Sequence, residues 1–357
     1  MKNLAEYKFL LFFILTVILI SLTTVQCKNT QSTETEISEL SFNEDNLLNG
    51  ISKAICYSGF RKGQHPDRGN GAKNPSYDEI LEDLTILSQD SNFKLIRVYD
   101  SGENSKMVLE VIEENNLDIK VMLGMWLRAE ISNHEGCPWL NEPIPDSTLK
   151  KNKKLNLEEI ERGIELTNKY KDIVTAVNVG NEALVDWNDH MVPVDTIIRY
   201  VEEVQESIDQ PVTVADNYKW WALNGSDLAK TVDFISVHTY PIWEGKDINE
   251  GMSFTIENLQ EVRDSLPGVK MVVSEAGWAT TASEFEERAS EEKQLQYYQE
   301  IMPWAKEMNI TVFFFEAFDE SWKGNPDNPI GAEKHWGIFT EDRKPKKVME
   351  NLYSNLK

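Results

Sequence analysis

Two glutamates in the sequence each come at the end of an apolar run that is rich in β-branched residues. Glu182 ends the run TAVNVGNE, and Glu275 ends the run KMVVSE. Such runs are typical of buried strands. Two carboxyl groups that face each other across a groove can cleave a glycosidic bond, because one protonates the leaving oxygen while the other attacks the anomeric carbon or directs water to it. For an isolated Asn181-Glu182 pair, the alternative is a solvated loop residue.

The sequence lacks the motifs of other common kinds of catalytic site. The sequence contains no HExxH, P-loop or GxSxG pattern, and no Ser or Cys has a plausible set of catalytic partners. The histidines are scattered, so we expect neither a metal site nor a cofactor; they are His65, His134, His190, His238 and His335.

Polar and ionisable residues also end three other strand-like runs. The second run ends in Arg97, Tyr99 and Asp100, the sixth in His238-Thr239-Tyr240, and the eighth is followed by Glu316, Asp319 and Glu320. Five such endings predict one site at a single edge of a parallel sheet.

The elements that must position these residues alternate regularly. Apolar runs occupy 53–60, 93–100, 118–127, 172–182, 211–218, 233–241, 270–278 and 310–318. Helix-like patterns lie between most of them, most clearly at 76–90, 156–170, 196–208 and 291–308. This order predicts an α/β fold, a (β/α)8 TIM barrel that forms a single catalytic domain over residues 46–357. The alternative is a doubly wound open sheet, but CYSGFRKG is not the glycine-rich phosphate turn expected there.

The composition restricts the partners. The chain has 357 residues and a formal net charge of -24. This acidity argues against a nucleic-acid partner and against adsorption to anionic lipid, whereas a neutral ligand such as a sugar is indifferent to it. We expect a monomer.

The N-terminus carries a predicted export signal over residues 1–27, in which Lys2 and Lys8 precede an apolar run. Cys27 follows that run, and residues 28–45 form a polar tether. This layout resembles a bacterial lipoprotein, so we expect lipidation at Cys27 and attachment to a bacterial membrane or cell surface. An uncleaved membrane anchor and free secretion are the alternatives. Cys56 and Cys137 could pair or remain free.

Four motifs in this order resemble glycoside hydrolase family 17, the β-1,3-glucanase and glucanosyltransferase family of the retaining barrel clan. They are VGNEAL, VVSEAGWAT, FFFEAFDESWKG and GAEKHWGIF. The resemblance implies that Glu182 is the general acid/base and Glu275 the nucleophile. It also implies that Asn181 binds the sugar 2-hydroxyl, and that Arg97 and Tyr240 hold Glu275 ionised and oriented. The alternative for Arg97 is an ion pair with Asp100.

Further site residues follow from the same motifs. Glu320, Lys323 and Glu333 match charged positions that the family places beside the nucleophile, and Tyr99 is a further substrate-binding candidate. Indole rings stack on the apolar faces of sugars, so the motif tryptophans are expected to line subsites; they are Trp278, Trp322 and Trp336. Tyr57 and Trp126 are weaker candidates, and Glu316 and Asp319 have either a site role or a structural one.

The resulting expectation is a retaining β-1,3-glucanase that acts on laminarin-like β-glucan. A β-1,3-glucanosyltransferase with the same site, a non-catalytic glycan-binding protein and an enzyme for β-1,4 or β-1,6 linkages are the alternatives. The retaining mechanism predicts carboxyl groups of Glu182 and Glu275 about 5–5.5 Å apart.

Overall fold

Eight parallel strands close into a barrel in chain order, with the last strand pairing with the first. The computed structural model describes residues 48, 53–67 and 69–352. The predicted export signal, Cys27 and the polar tether lie outside these residues. The strands are β1 Ala54–Cys56, β2 Leu95–Arg97, β3 Lys120–Met125, β4 Val174–Asn181, β5 Val212–Asn217, β6 Ile235–Thr239, β7 Met271–Ala276 and β8 Val312–Phe314. Each lies within its predicted run, so the (β/α)8 prediction is confirmed and the open-sheet alternative is wrong.

Helices connect the strands on the outside of the barrel. They are α1 Tyr77–Thr85, α2 Glu103–Glu114, α3 Asp146–Lys169, α4 Val194–Gln205, α5 Tyr218–Asn224, α6 Ile248–Ser265, α7 Glu291–Glu307 and α8 Lys347–Leu352. The predicted pattern at 156–170 begins too late, because α3 continues back to Asp146 through a lysine-rich, mostly exposed stretch that has no apolar face. None of the helices in the described ranges is long and apolar enough to cross a bilayer.

Local signals fix where several helices begin. Ser76 and Glu79 form a capping box at the start of α1, and Asp247 and Glu250 form another at the start of α6. Each box satisfies backbone N–H groups that the first helical turn leaves without a partner. The helix starts are therefore set by short polar motifs rather than by the apolar pattern.

The pairing register shifts at the carboxyl ends of three strands. The shifts fall between Asn178 and Asn181 in β4, Val237 and His238 in β6, and Val273 and Ala276 in β7. A bulge re-aims the side chains that follow it, and bulges are common beside active sites. The irregularities therefore occur where the predicted site residues leave the barrel.

A buried ion cluster joins the first loop, α1 and the C-terminal segment. Asp83 accepts hydrogen bonds from both Arg343 Nε (2.7 Å) and Arg343 Nη2 (2.6 Å), from Arg61 Nη2 (2.8 Å) and from the Tyr57 hydroxyl (3.2 Å). Arg343 also donates to the carbonyl of Gly59 at 2.9 Å. Because a buried carboxylate needs partners, this cluster holds the loop after β1 against the end of the domain.

We expect Arg343→Ala to lower the free energy of unfolding by about 3–5 kcal/mol, because it removes the bidentate partner of a buried charge. Lys94→Ala is the control: it breaks the exposed Lys94–Asp118 pair (2.6 Å) and should cost less than about 1 kcal/mol. Urea unfolding followed by fluorescence measures both. Equal effects would contradict a structural role for the cluster.

Candidate active site

Glu182 follows the last residue of β4 in a left-handed backbone conformation. Its φ is 46°, and Gly180, two positions earlier, has a φ of 84°. Two hydrogen bonds hold the turn: Glu182 N donates to the Ala215 carbonyl (2.9 Å), and Leu184 N donates to the Asp216 side chain at Oδ2 (2.9 Å). A non-glycine residue with this φ is uncommon, and such strain often marks functional sites. Glu182 is therefore fixed by its surroundings rather than by its own preference.

Glu275 lies inside β7, and its carboxylate accepts three hydrogen bonds. Oε1 accepts from Arg97 Nη1 at 2.5 Å and from the Tyr99 hydroxyl at 3.0 Å, while Oε2 accepts from the Tyr240 hydroxyl at 2.6 Å. Burial and the adjacent Glu275 carboxylate raise the pKa of Tyr240 well above its usual value, which keeps the phenol a donor. The three donors fix the orientation of the carboxylate.

Arg97 connects the two glutamate-bearing strands. Its side chain is fully buried, and Nη2 donates to Asn181 Oδ1 while Nη1 binds Glu275. The alternative that Arg97 pairs with Asp100 is wrong, because Asp100 accepts instead from Gly102 N at 2.8 Å. The guanidinium thus aligns Asn181 with Glu275.

The structure brings Glu182, His238 and Glu275 together. One ligand atom from each lies within 4.8 Å of the others. His238 Nδ1 is 2.9 Å from Glu182 Oε1 and 3.5 Å from Glu275 Oε2. Two carboxylates and an imidazole could ligate a cation, but the Arg97 guanidinium already neutralises Glu275. From the sequence, His238 was expected at a strand end and had no assigned role.

The pKa of Glu182 is lower than its usual value in this arrangement. Burial raises it, but the hydrogen bond from His238 lowers it, and so does the bond from Asn188 Nδ2 to Oε2 (3.1 Å). A general acid is expected to have a raised pKa. The contacts of Glu182 in this structure instead favour its charged form.

A second charged cluster follows β8. Lys323 Nζ lies 2.6 Å from Glu316 Oε2 and 2.7 Å from Glu320 Oε2. Ser58 and the Trp322 indole also donate to Glu320 Oε1. Burial raises the pKa of Glu316 well above its usual value, whereas Lys323 lowers that of Glu320 despite its burial.

The remaining charged candidates, Glu333 and Asp319, lie in different surroundings. Glu333 is exposed in the short 3₁₀ turn Ala332–Lys334. Asp319 has the structural role, because it accepts from Lys346 Nζ at 2.7 Å and from Gly337 N at 3.0 Å, both among buried residues.

Two of the predicted sugar-stacking tryptophans do not face the groove. Trp278 is 0% exposed, packs on Tyr297 and donates to the Arg288 carbonyl. Trp336 is 1% exposed and packs edge-on against Tyr240 at 5.1 Å. The subsite prediction is wrong for both, because each indole finds partners in the core.

The other aromatic candidates differ in exposure. Tyr57 is also in the core, with its hydroxyl on Asp83. Trp126 is half-buried and stacks on His190 at 4.6 Å. Trp322 is half-buried and lines a pocket of about 390 Å³ together with residues 63–65, 70, 71 and 321.

Three exposed tryptophans were missed. They follow strand ends: Trp139 after β3 is 73% exposed, Trp187 after β4 is 41% exposed and Trp243 after β6 is 45% exposed. Their position in loops at the carboxyl end of the barrel was the available signal. Large exposed indoles on this face are candidate contacts for a sugar chain.

A closed parallel barrel with two facing glutamates at its carboxyl mouth is the architecture of a glycoside hydrolase. The family comparison agrees, since residues 54–337 match the model of the BtgE/BtgC glycoside hydrolase domain. The chain belongs to this family, and it is therefore a glycoside hydrolase.

Similar proteins give the same class. The chain is 26% identical over 284 residues to a glucan 1,3-beta-glucosidase of Schizosaccharomyces pombe, covering 74% of this chain and 78% of that protein. An endo-laminarinase structure from Formosa is similar with a TM-score of 0.72 and 27% identity, covering 85% of this chain and 86% of the other. A family 17 beta-1,3-glucanosyltransferase from Rhizomucor miehei, at 22% identity, a TM-score of 0.63 and coverage of 83% and 96%, shares the fold.

Proposed function

We propose that this chain is a retaining glycoside hydrolase of family 17 that cleaves β-1,3-glucan through a covalent glycosyl-enzyme. The observation that carries the proposal is the approach of Glu182 and Glu275, whose nearest ligand oxygens lie within 4.8 Å. Inverting enzymes separate their carboxyl groups by about 6.5–9.5 Å to admit a water between them. A close approach of the two carboxyl groups is what a retaining mechanism needs, so it supports direct attack by one carboxylate.

The contacts assign the two roles. Glu275, oriented by Arg97, Tyr99 and Tyr240, attacks the anomeric carbon, and the bond to the glycosidic oxygen breaks as Glu182 gives that oxygen its proton. Glu182 then takes a proton from water, whose oxygen displaces Glu275 from the sugar. Asn181 accepts from Arg97 through Oδ1, and its amide nitrogen then donates to the sugar 2-hydroxyl.

The substrate class rests on the relatives and on the surface. The named activities of the similar proteins are on β-1,3-glucan. A neutral polysaccharide is compatible with a net charge of -24. The half-buried Trp322 and the exposed Trp139, Trp187 and Trp243 offer flat faces for sugar rings along the mouth of the barrel.

The function is tested with a panel of linkage-defined β-glucans, with products followed by chromatography and early NMR. We expect turnover of β-1,3-linked substrates and a first-formed product that keeps the β configuration. Products longer than the substrate would instead identify a glucanosyltransferase. Release of the α-anomer first would contradict the retaining mechanism, and binding without release of sugar would contradict the enzyme.

Variants of the two glutamates should fail in different ways. Glu275→Ala should abolish turnover of every substrate, with partial rescue by azide as an external nucleophile. Glu182→Ala should impair natural glucans most, because an aryl glycoside with a good leaving group needs little protonation. Equal losses on both substrate types would contradict the role assignment.

We also propose that the protein is exported and lipid-anchored through Cys27. The support is the apolar run before this cysteine and the polar tract after it. Two acyl chains anchor durably, since each buried methylene contributes about 0.8 kcal/mol. Cys27→Ser should release the protein from the membrane fraction or stop its processing. An intact mass that begins at residue 1 without an acyl adduct would refute the anchor.

A further inference from the structure

His238 is completely buried, yet it touches both proposed catalytic carboxylates. Nδ1 is 2.9 Å from Glu182 Oε1 and 3.5 Å from Glu275 Oε2, so the bond to Glu182 is the shorter. Any role of His238 at this pair rests on the proposed function, in which Glu182 is the general acid.

The neighbour on the other side of the ring determines its tautomer. His238 Nε2 lies 3.4 Å from Arg97 Nη1. A guanidinium can only donate, and Nη1 also donates to the Ser274 carbonyl at 3.3 Å. We therefore assign Nε2 as an acceptor without a proton. The proton of the neutral ring is then on Nδ1, which donates to Glu182.

This bond conflicts with acid catalysis. A hydrogen bond donated to a carboxylate stabilises its charged form. While Glu182 accepts the Nδ1–H bond it is held ionised, and the general acid must instead carry a proton. Burial has the opposite effect, because it raises the pKa of Glu182.

We propose that His238 is a positioning residue that holds Glu182 as a carboxylate in the free enzyme and releases it when a glucan binds. Glu182 leaves Nδ1 to meet the glycosidic oxygen, and it then takes up a proton from bulk water. His238 keeps its proton and can turn the Nδ1–H bond toward Glu275 Oε2, which is already 3.5 Å away. The proton that Glu182 gives to the leaving group is replaced when Glu182 deprotonates the attacking water.

Other ionisable groups surround the pair. They are Arg97 on β2, His190 in the loop after β4, Asp216 on β5, Glu275 on β7 and Glu333 in the turn 332–334. Only His238 and Asn188 donate hydrogen bonds to the Glu182 carboxylate among the described residues. The effect of His238 is therefore separable from a general effect of charge.

The unmodified enzyme provides the first test. The pH profile of kcat/KM reports the free enzyme, and that of kcat reports the substrate complex. A laminari-oligosaccharide has a leaving group that Glu182 must protonate, so its turnover falls as pH rises; this fall is the basic limb of the profile. We expect the basic limb of kcat to lie at higher pH than the basic limb of kcat/KM. Coincident limbs would overturn the proposal while leaving the proposed function intact. Absence of turnover would overturn both.

A pair of substitutions provides the second test. His238→Asn keeps an amide nitrogen near the position of Nδ1, so it can still donate to Glu182. His238→Gln places its polar atoms near the position of Nε2 and loses that donor. We expect the basic limb of kcat/KM to move to higher pH in His238→Gln, because the carboxylate loses a stabilising bond, and to stay near the wild-type position in His238→Asn.

His190→Gln is the matched control. Its imidazole also lies near Glu182, but Nε2 contacts the Asn181 carbonyl at 2.9 Å and not the carboxylate. Its basic limb should move less than that of His238→Gln, because His190 acts on Glu182 without a hydrogen bond to the carboxylate. If the basic limb of His190→Gln moves as far as that of His238→Gln, the hydrogen bond has no specific role and the proposal is overturned. The proposal is also overturned if both His238 variants are less active but their basic limbs stay at the wild-type pH. Thermal unfolding confirms that each variant is folded.

Discussion

The buried ion pair between Arg97 and Glu275 is the interaction on which the site depends. The guanidinium is fully buried at the barrel mouth, where an unpaired charge would be very costly. It binds Glu275 on β7 and Asn181 on β4, and it faces His238 on β6. One side chain from β2 thus contacts groups on three other strands. The contacts that hold these strands together are therefore also the contacts that align the site.

The barrel could be predicted because its signals are local. Each strand is a short apolar run, and helix patterns recur between the runs, so the alternation alone indicated (β/α)8. The start of α3 could not be predicted, since residues 146–155 carry lysines and no apolar face. The register shifts at β4, β6 and β7 were equally hidden, because they arise from pairing between strands.

The sequence predicted which strand ends carry the site residues, but it did not predict which way their side chains point. The apolar runs located Glu182, Glu275 and Arg97 at strand ends, and the structure brings them together. The same reasoning failed for Trp278 and Trp336, because a sequence does not indicate whether an indole turns toward the groove or the core. The contact between His238 and both glutamates depends on three strands at once, so no spacing along the chain could reveal it.

The cluster around Asp83 has a consequence for how the chain reaches this fold. Arg343 and Gly59 are 284 positions apart in sequence, and Ser58 meets Glu320 across 262 positions. Contacts of such high order form only after a large loop closes, which slows folding. β1 therefore keeps one edge unpaired until β8 is available to pair with it. The first and last segments of the barrel come to order together.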